Sequence, residues 1–130
     1  MEIMAPRLKI LLVDDEAYFR LFVGKVIHLS VDCTIDVAKD GAEAIAYCEV
    51  NDPDVIVLDI NMPRVDGVQA LGRIRAIRPS TPIIMLTSIS EEAIVEECVT
   101  LGASYFIRKD VPAEELKGEL REMLKNFQPA

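Results

Sequence analysis

Several short apolar runs in this chain end in residues able to do chemistry. Asp14, Asp15 and Glu16 close Leu11-Leu12-Val13, and Asp59 closes Val55-Ile56-Val57-Leu58. Thr87 and Ser88 close Ile83-Ile84-Met85-Leu86, while Arg108, Lys109 and Asp110 follow Tyr105-Phe106-Ile107. Like charges a few ångströms apart disfavour mutual ionisation, so Asp14, Asp15 and Asp59 in one crevice would need either protonation or a cation. An all-oxygen site suits a hard ion, and few carboxylates with waters and a phosphate suit Mg2+. A lysine beside them offers a point charge to a phosphate, and a threonine hydroxyl can donate to a phosphoryl oxygen. A carboxylate held in line with phosphorus can act as nucleophile and form an acyl phosphate, with metal and lysine neutralising the equatorial oxygens.

That chemistry requires elements that bring the run ends together. Strands are expected at Leu8–Val13, Thr34–Ala38, Asp54–Leu58, Pro82–Leu86 and Ser104–Ile107. Between them lie helical patterns. Phe19, Phe22, Val23, Val26 and Ile27 repeat at helical spacing within Glu16–Ser30. An Ala-rich helix spans about Ala42–Val50, after the turn signal Asp40-Gly41 and before Pro53. Val68, Leu71, Ile74 and Ile77 define a third helix, for which Asp66 is a candidate cap. A fourth runs from Ser90 as N-cap through Leu101, with Gly102 as C-cap. Leu116, Leu120, Met123, Leu124 and Phe127 form the last stripe.

Five strands alternating with five helices imply right-handed βαβ crossovers and a parallel sheet. Strands 1, 3 and 4 are nearly continuous Ile, Leu and Val, which predicts helices over both faces. Strand 2 carries Asp36 and strand 5 ends near Arg108, so these two are expected at the edges. Order 2-1-3-4-5 satisfies this and reverses direction between strands 1 and 3. In such a doubly wound, flavodoxin-like α/β sandwich the ligand crevice lies outside the carboxyl ends at the reversal. The acidic, hydroxyl and ammonium groups then share one edge of the sheet.

These same residues carry a family resemblance. Leu11-Leu12-Val13-Asp14-Asp15-Glu16, Val57-Leu58-Asp59-Ile60-Asn61-Met62-Pro63-Arg64-Val65-Asp66-Gly67, Met85-Leu86-Thr87-Ser88 and Gly102-Ala103-Ser104-Tyr105-Phe106-Ile107-Arg108-Lys109 occur in order. Asp15, Asp59, Thr87 and Lys109 are successively 44, 28 and 22 residues apart. Over essentially its whole length the chain resembles the receiver domain of bacterial two-component response regulators.

The resemblance implies roles position by position. Asp59 is similar to the phosphoacceptor. Asp15 resembles the direct Mg2+ ligand, Asp14 the residue holding the metal's waters, and the backbone carbonyl of Asn61 a further ligand beside Asp59. Thr87 resembles the switch hydroxyl, Phe106 the aromatic that turns inward with it, and Lys109 the phosphate-contacting lysine. The implied donor is a phosphohistidine on a sensor histidine kinase or phosphotransfer protein. The implied product is a switch that catalyses its own aspartyl phosphorylation and dephosphorylation rather than a metabolic enzyme. Its readout surface would be helix 4, strand 5 and helix 5, meeting a downstream protein or a fused output domain; helices 4 and 5 are also a candidate homodimer surface.

Three positions depart from the commonest pattern. Many receivers follow the lysine with a cis-proline; here Asp110 follows Lys109, and a cis bond before a non-proline costs about 2.5–4 kcal/mol. Phe106 stands where tyrosine is more familiar. Ile89, two residues after Thr87, is apolar at the pocket mouth and is expected to slow acyl-phosphate hydrolysis.

Each residue also has a plainer reading. Asp14 and Asp15 can start a helix as caps, Asp59 can cap a turn, Thr87 can be a strand-end hydroxyl and Lys109 a solvated charge; their convergence is what favours the chemical reading. Met62-Pro63 and Asp66-Gly67 read as loop-shaping. His28, the lone histidine, reads as structural or surface. Glu91, Glu92, Glu96 and Glu97 read as a solvated helix face, with Ile94 among them a candidate exposed contact. Tyr47 and Tyr105 read as packing residues.

Composition bounds the function. The chain has 130 residues, 51% of them hydrophobic, which suits one domain over 1–130 with its core at about 8–127 and argues against disorder. A net charge of −8 argues against direct nucleic-acid binding, which needs a basic surface. No apolar run nears the roughly 18 residues of a membrane span, and Met1–Arg7 lacks signal-peptide architecture. Cys33, Cys48 and Cys98 are odd in number and lack C-x-x-C spacing, as expected of reduced thiols in a cytoplasmic protein. Two other functions stay open: a phosphorylation-independent, receiver-like interaction module, and a flavodoxin-like nucleotide carrier or phosphohydrolase. The latter is disfavoured because no Gly-rich loop follows strand 1.

Overall fold

A computed structural model of the protein describes residues 7–62, 65–88 and 91–127. The strands are β1 (Leu8–Val13), β2 (Cys33–Ala38), β3 (Val55–Asp59), β4 (Ile83–Thr87) and β5 (Tyr105–Arg108). They alternate with α1 (Ala17–Ser30), α2 (Gly41–Val50), α3 (Gly67–Ile77), α4 (Glu92–Leu101) and α5 (Ala113–Leu124). The sheet is parallel in order β2-β1-β3-β4-β5, as expected.

Strand side chains alternate between the faces. Leu11, Val13, Ile56, Leu58, Ile83 and Met85 pack with buried residues of α2, α3 and α4. Ile10, Leu12, Val55, Val57, Ile84 and Leu86 pack with α1 and α5. Every residue of β3 and β4 is buried, so their unbroken apolar runs reflect helices on both faces.

Local chemistry sets the helix ends. The Asp40 carboxylate accepts the Glu43 N–H at 2.8 Å, and α2 begins at Gly41, one residue before its expected start. Asp66 and Gln69 form a reciprocal capping box on α3. Gly102 ends α4 at φ 103°, where a side chain would be strained. At the other end of α4 the N-cap is Glu91; Ser90, expected there, and Ile89 lie outside the described residues, as do Pro63 and Arg64.

Arg75 knits one end of the helix layer together. Its guanidinium donates to the carbonyls of Gly102 (2.7 Å), Arg78 (2.9 Å) and Thr81 (2.6 Å). The three cysteines are buried and unpaired, consistent with packing roles. His28 is exposed, 3.7 Å from the Cys33 sulfur. Ile94 is half-buried against the α2–α4 core, which corrects its reading as an exposed contact: the row Ile94, Cys98, Leu101 faces the core while the glutamates face solvent. Tyr47 packs and also donates its hydroxyl to Asp36 at 2.7 Å. Tyr105 is 40% exposed, edge-on to Phe127, and so only partly a packing residue. Among the described residues no helix is long and apolar enough to cross a membrane.

Candidate functional site

The site lies at the carboxyl ends of β1, β3, β4 and β5. Asp14 follows β1, and its N–H still bonds the Ala38 carbonyl at 3.2 Å, so the sheet fixes its backbone. The side chain is fully buried. Its Oδ1 accepts the Glu16 N–H at 2.9 Å, its carbonyl accepts the Arg20 guanidinium at 2.7 Å, and Lys109 Nζ reaches Oδ2 at 2.9 Å. The helix-capping alternative for Asp14 and Asp15 is not realised: Glu16 is the N-cap residue, and the backbone N–H that the Asp14 carboxylate accepts is that residue's own, ahead of the helix. Asp15 is exposed at the mouth.

Asp59 ends β3 and is 2% exposed. The backbone around it depends on Gly67: a Cβ there would lie 2.1 Å from the Asp59 carbonyl oxygen and 2.5 Å from Ile60 Cα. The Gly67 N–H instead bonds the Ile60 carbonyl at 2.8 Å, folding the segment back so that α3 starts against the strand end. Asp66 and Gly67 shape the loop, as expected.

Thr87 ends β4, buried, and its carbonyl accepts the Lys109 N–H at 2.8 Å. This extends the β4–β5 ladder by one bond and turns Lys109 back over the sheet edge. No described peptide bond is cis. Arg108 instead grips Asp110 with two hydrogen bonds, one of them 2.8 Å from Nε to Oδ1, bracketing Lys109. That pair holds the Asp110 carboxyl below its ordinary range.

Carboxylate oxygens of Asp14, Asp15 and Asp59 all lie within 4.8 Å of one another. Lys109 Nζ is 2.9 Å from Asp14, 3.4 Å from Asp59 and 3.8 Å from Glu16. Burial, and next the Asp14 charge, push the Asp59 carboxyl up to about 6, against the pull of Lys109 and the Asn61 N–H. Burial works to lower the Lys109 ammonium, but the Asp14 and Asp59 carboxylates outweigh it and hold it above its ordinary value.

The structure therefore brings together Asp14, Asp15, Asp59, Thr87 and Lys109, with Asn61 two residues beyond Asp59 and exposed. Phe106 is elsewhere: it pairs with Met85 in register and is half-buried against the α2–α4 core. Sequence reasoning placed Phe19 only in a core stripe and gave Arg20 no role. Phe19 lies in the first turn of α1, and its ring centroid is 4.2 Å from Lys109 Nζ.

A family profile described as response regulator receiver domain matches residues 10–121. The chain belongs to that family. The receiver is 32% identical over 118 residues to the chemotaxis protein CheY of Listeria monocytogenes, covering 91% of this chain and 99% of that protein. It is 42% identical over 103 residues to a protein-glutamate methylesterase/protein-glutamine glutaminase of Rhodospirillum rubrum, covering 78% of this chain but 28% of that protein. The chain thus spans under a third of this methylesterase relative's length. The response regulator domain of Thermotoga maritima CheB superposes with a TM-score of 0.82 at 34% identity, covering 92% of this chain and 95% of that one.

Receivers are phosphoacceptor modules of two-component and chemotaxis signalling and bind Mg2+ at an acidic pocket; here Asp14, Asp15 and Asp59 form an acidic cluster close enough to hold a metal ion. The residues present fit such an ion. The donor set is all oxygen, and Asp59 Oδ2 is buried with no hydrogen-bond partner among the described residues. A buried charged oxygen without a donor is expensive, and a hard cation is the partner such a site suits.

Proposed function

We propose that this receiver takes a phosphoryl group on Asp59 from a phosphohistidine of a sensor histidine kinase or phosphotransfer protein. The observation that carries this reading is the buried Oδ2 of Asp59, without a hydrogen-bond partner among the described residues, beside an ammonium that already neutralises Asp14. Asp59 attacks phosphorus; a P–O bond forms, the P–N bond breaks, and the imidazole nitrogen leaves with the electron pair. Lys109 faces the charge that develops on the transferring group, from 3.4 Å away from Asp59 Oδ1. Asp14, Asp15, Asp59 and the Asn61 carbonyl would hold Mg2+, which would supply charge neutralisation to the transferring phosphoryl group. Water later hydrolyses the acyl phosphate at the same residues.

Thr87 closes β4 beside Asp59, and its hydroxyl is the group that would bond the new phosphoryl oxygens. That contact biases the β4–α4 segment between two arrangements, with Phe106 following. The readout surface is α4, β5 and α5, where a groove of about 640 Å3 is lined by Tyr105, Phe106, Glu115, Glu119 and Met123 among others. It would meet a downstream protein, a fused output domain or a second copy. We place this function in the cytoplasm, with one receiver domain spanning residues 1–130.

Incubation with Mg2+ and acetyl phosphate followed by intact mass measurement tests the reading. A gain of one phosphoryl group, lost in Asp59→Asn, is expected. No gain at any Mg2+ concentration, or a gain that survives Asp59→Asn, overturns it.

A further inference from the structure

We infer that Phe19 is a positioning residue for Lys109: its ring holds the ammonium at the buried end of the pocket, between Asp14 and Asp59. This inference rests on the reading of Lys109 as the phosphate-contacting group.

Three carboxylates surround Lys109 Nζ, and they do not lie at the same depth. Asp14 at 2.9 Å and Asp59 at 3.4 Å are buried, whereas Glu16 at 3.8 Å has a side chain 66% exposed. A lysine has a flexible four-carbon stem, so its ammonium can follow whichever charge is available. Were the Asp14 and Asp59 oxygens engaged by other charges, Glu16 at the mouth would be the competing attraction for the ammonium.

The Phe19 ring attracts the ammonium without being able to ligate a hard cation. Nζ lies 4.2 Å from its centroid, inside the roughly 6 Å reach of a cation–π contact. The Lys109 side chain is 10% exposed, and desolvation strengthens that contact. The ring is itself held in place. It packs against the α1–α5 core and meets Phe22 edge-on, with centroids 6.0 Å apart. An aliphatic residue would fill the same space but lack the negative ring face.

The test separates packing from ring electrostatics. Phe19→Leu, Phe19→Tyr and a series of mono-, di- and trifluorinated phenylalanines at position 19 are phosphorylated with acetyl phosphate. The rate is expected to fall roughly 3- to 10-fold in Phe19→Leu, stay near wild type in Phe19→Tyr, and decline stepwise as fluorine drains the ring face at nearly constant size. In the Mg2+-free protein, ring current is expected to displace the Lys109 ε-methylene proton signals upfield, and Phe19→Leu to abolish the displacement; Lys109→Arg identifies the signals. Undisplaced signals in the wild type, a flat fluorination series, or full activity in Phe19→Leu overturns the inference. If the wild type takes no phosphoryl group, the function proposed above fails, and the proton signals alone decide whether Phe19 holds Lys109.

Discussion

Lys109 Nζ is closer to Asp14 than to Asp59, 2.9 Å against 3.4 Å. The ammonium is first the counter-ion of Asp14, and only then a neighbour of Asp59. Both partners are nearly enclosed, with side chains 10% and 1% exposed. Removing one leaves an uncompensated buried charge, which is strongly destabilising, at about 3–5 kcal/mol. Lys109→Met is therefore expected to destabilise the Mg2+-free protein by roughly that amount in urea unfolding. Adding Asp14→Asn to it should recover much of the loss. Additive effects of the two substitutions would show that the pair is not coupled.

Asp59 makes stability depend on pH. Its folded-state value is about 6 against an ordinary 3.8, so the native protein binds this proton more tightly than the unfolded chain. The associated stability is fully present below about pH 4 and is lost as pH rises through about 6. Asp59→Asn removes the titration. In chelator it is expected to stabilise the protein by roughly 1–3 kcal/mol at about pH 7.5, with the gain shrinking towards pH 4. A gain that is the same at both pH values counts against burial of the charge as its cause.

Asp15 is exposed, whereas Asp14 and Asp59 carry the internal contacts. Asp15→Asn should consequently leave the chelated protein within about 0.5 kcal/mol of wild type. Its effect should appear on titration with Mg2+. The wild type gains about 2.7 kcal/mol at a hundredfold excess over its dissociation constant, and Asp15→Asn gains much less at the same concentration. Equal Mg2+ stabilisation of both proteins would remove Asp15 from the ligand set.

Gly67 is required by proximity. A methyl group there would press on the Asp59 carbonyl, which is backbone and cannot swing aside. Gly67→Ala is expected to lose roughly 1–3 kcal/mol or more of stability. It should also slow phosphorylation of Asp59, because the strand end that carries the carboxylate must shift. A variant with normal stability and rate would show that the loop relaxes freely.

Arg75 predicts the opposite separation. Its guanidinium satisfies the Gly102, Arg78 and Thr81 carbonyls far from the carboxylates. Arg75→Met is expected to lower stability by roughly 1–3 kcal/mol while leaving acetyl-phosphate labelling of the folded protein unchanged. Thermal unfolding and intact mass, measured on one preparation, decide both halves.

Much of the fold was legible because short-range physics writes it plainly. Unbroken Ile, Leu and Val in β3 and β4 follow from helices on both faces, and Asp36 and Arg108 marked the edge strands. Boundaries slipped by a residue or so where a cap decided them. The Asp40 carboxylate starts α2 at Gly41, and the Thr87–Lys109 bond carries the ladder past Arg108. Ile94 lies among four glutamates in sequence, yet its helical row, with Cys98 and Leu101, turns to the core.

Which groups meet follows from the order of strands and helices along the chain. Parallel crossovers deliver every carboxyl end to one edge of the sheet, so residues closing the runs must converge there. How they meet depends on packing between distant segments. Whether Lys109 pairs first with Asp14 or Asp59, whether an Asp59 oxygen finds a partner among the described residues, and whether Phe19 reaches Lys109 all depend on distances between segments far apart in the chain. No local periodicity encodes them, because each results from how separate segments pack over a shared sheet edge.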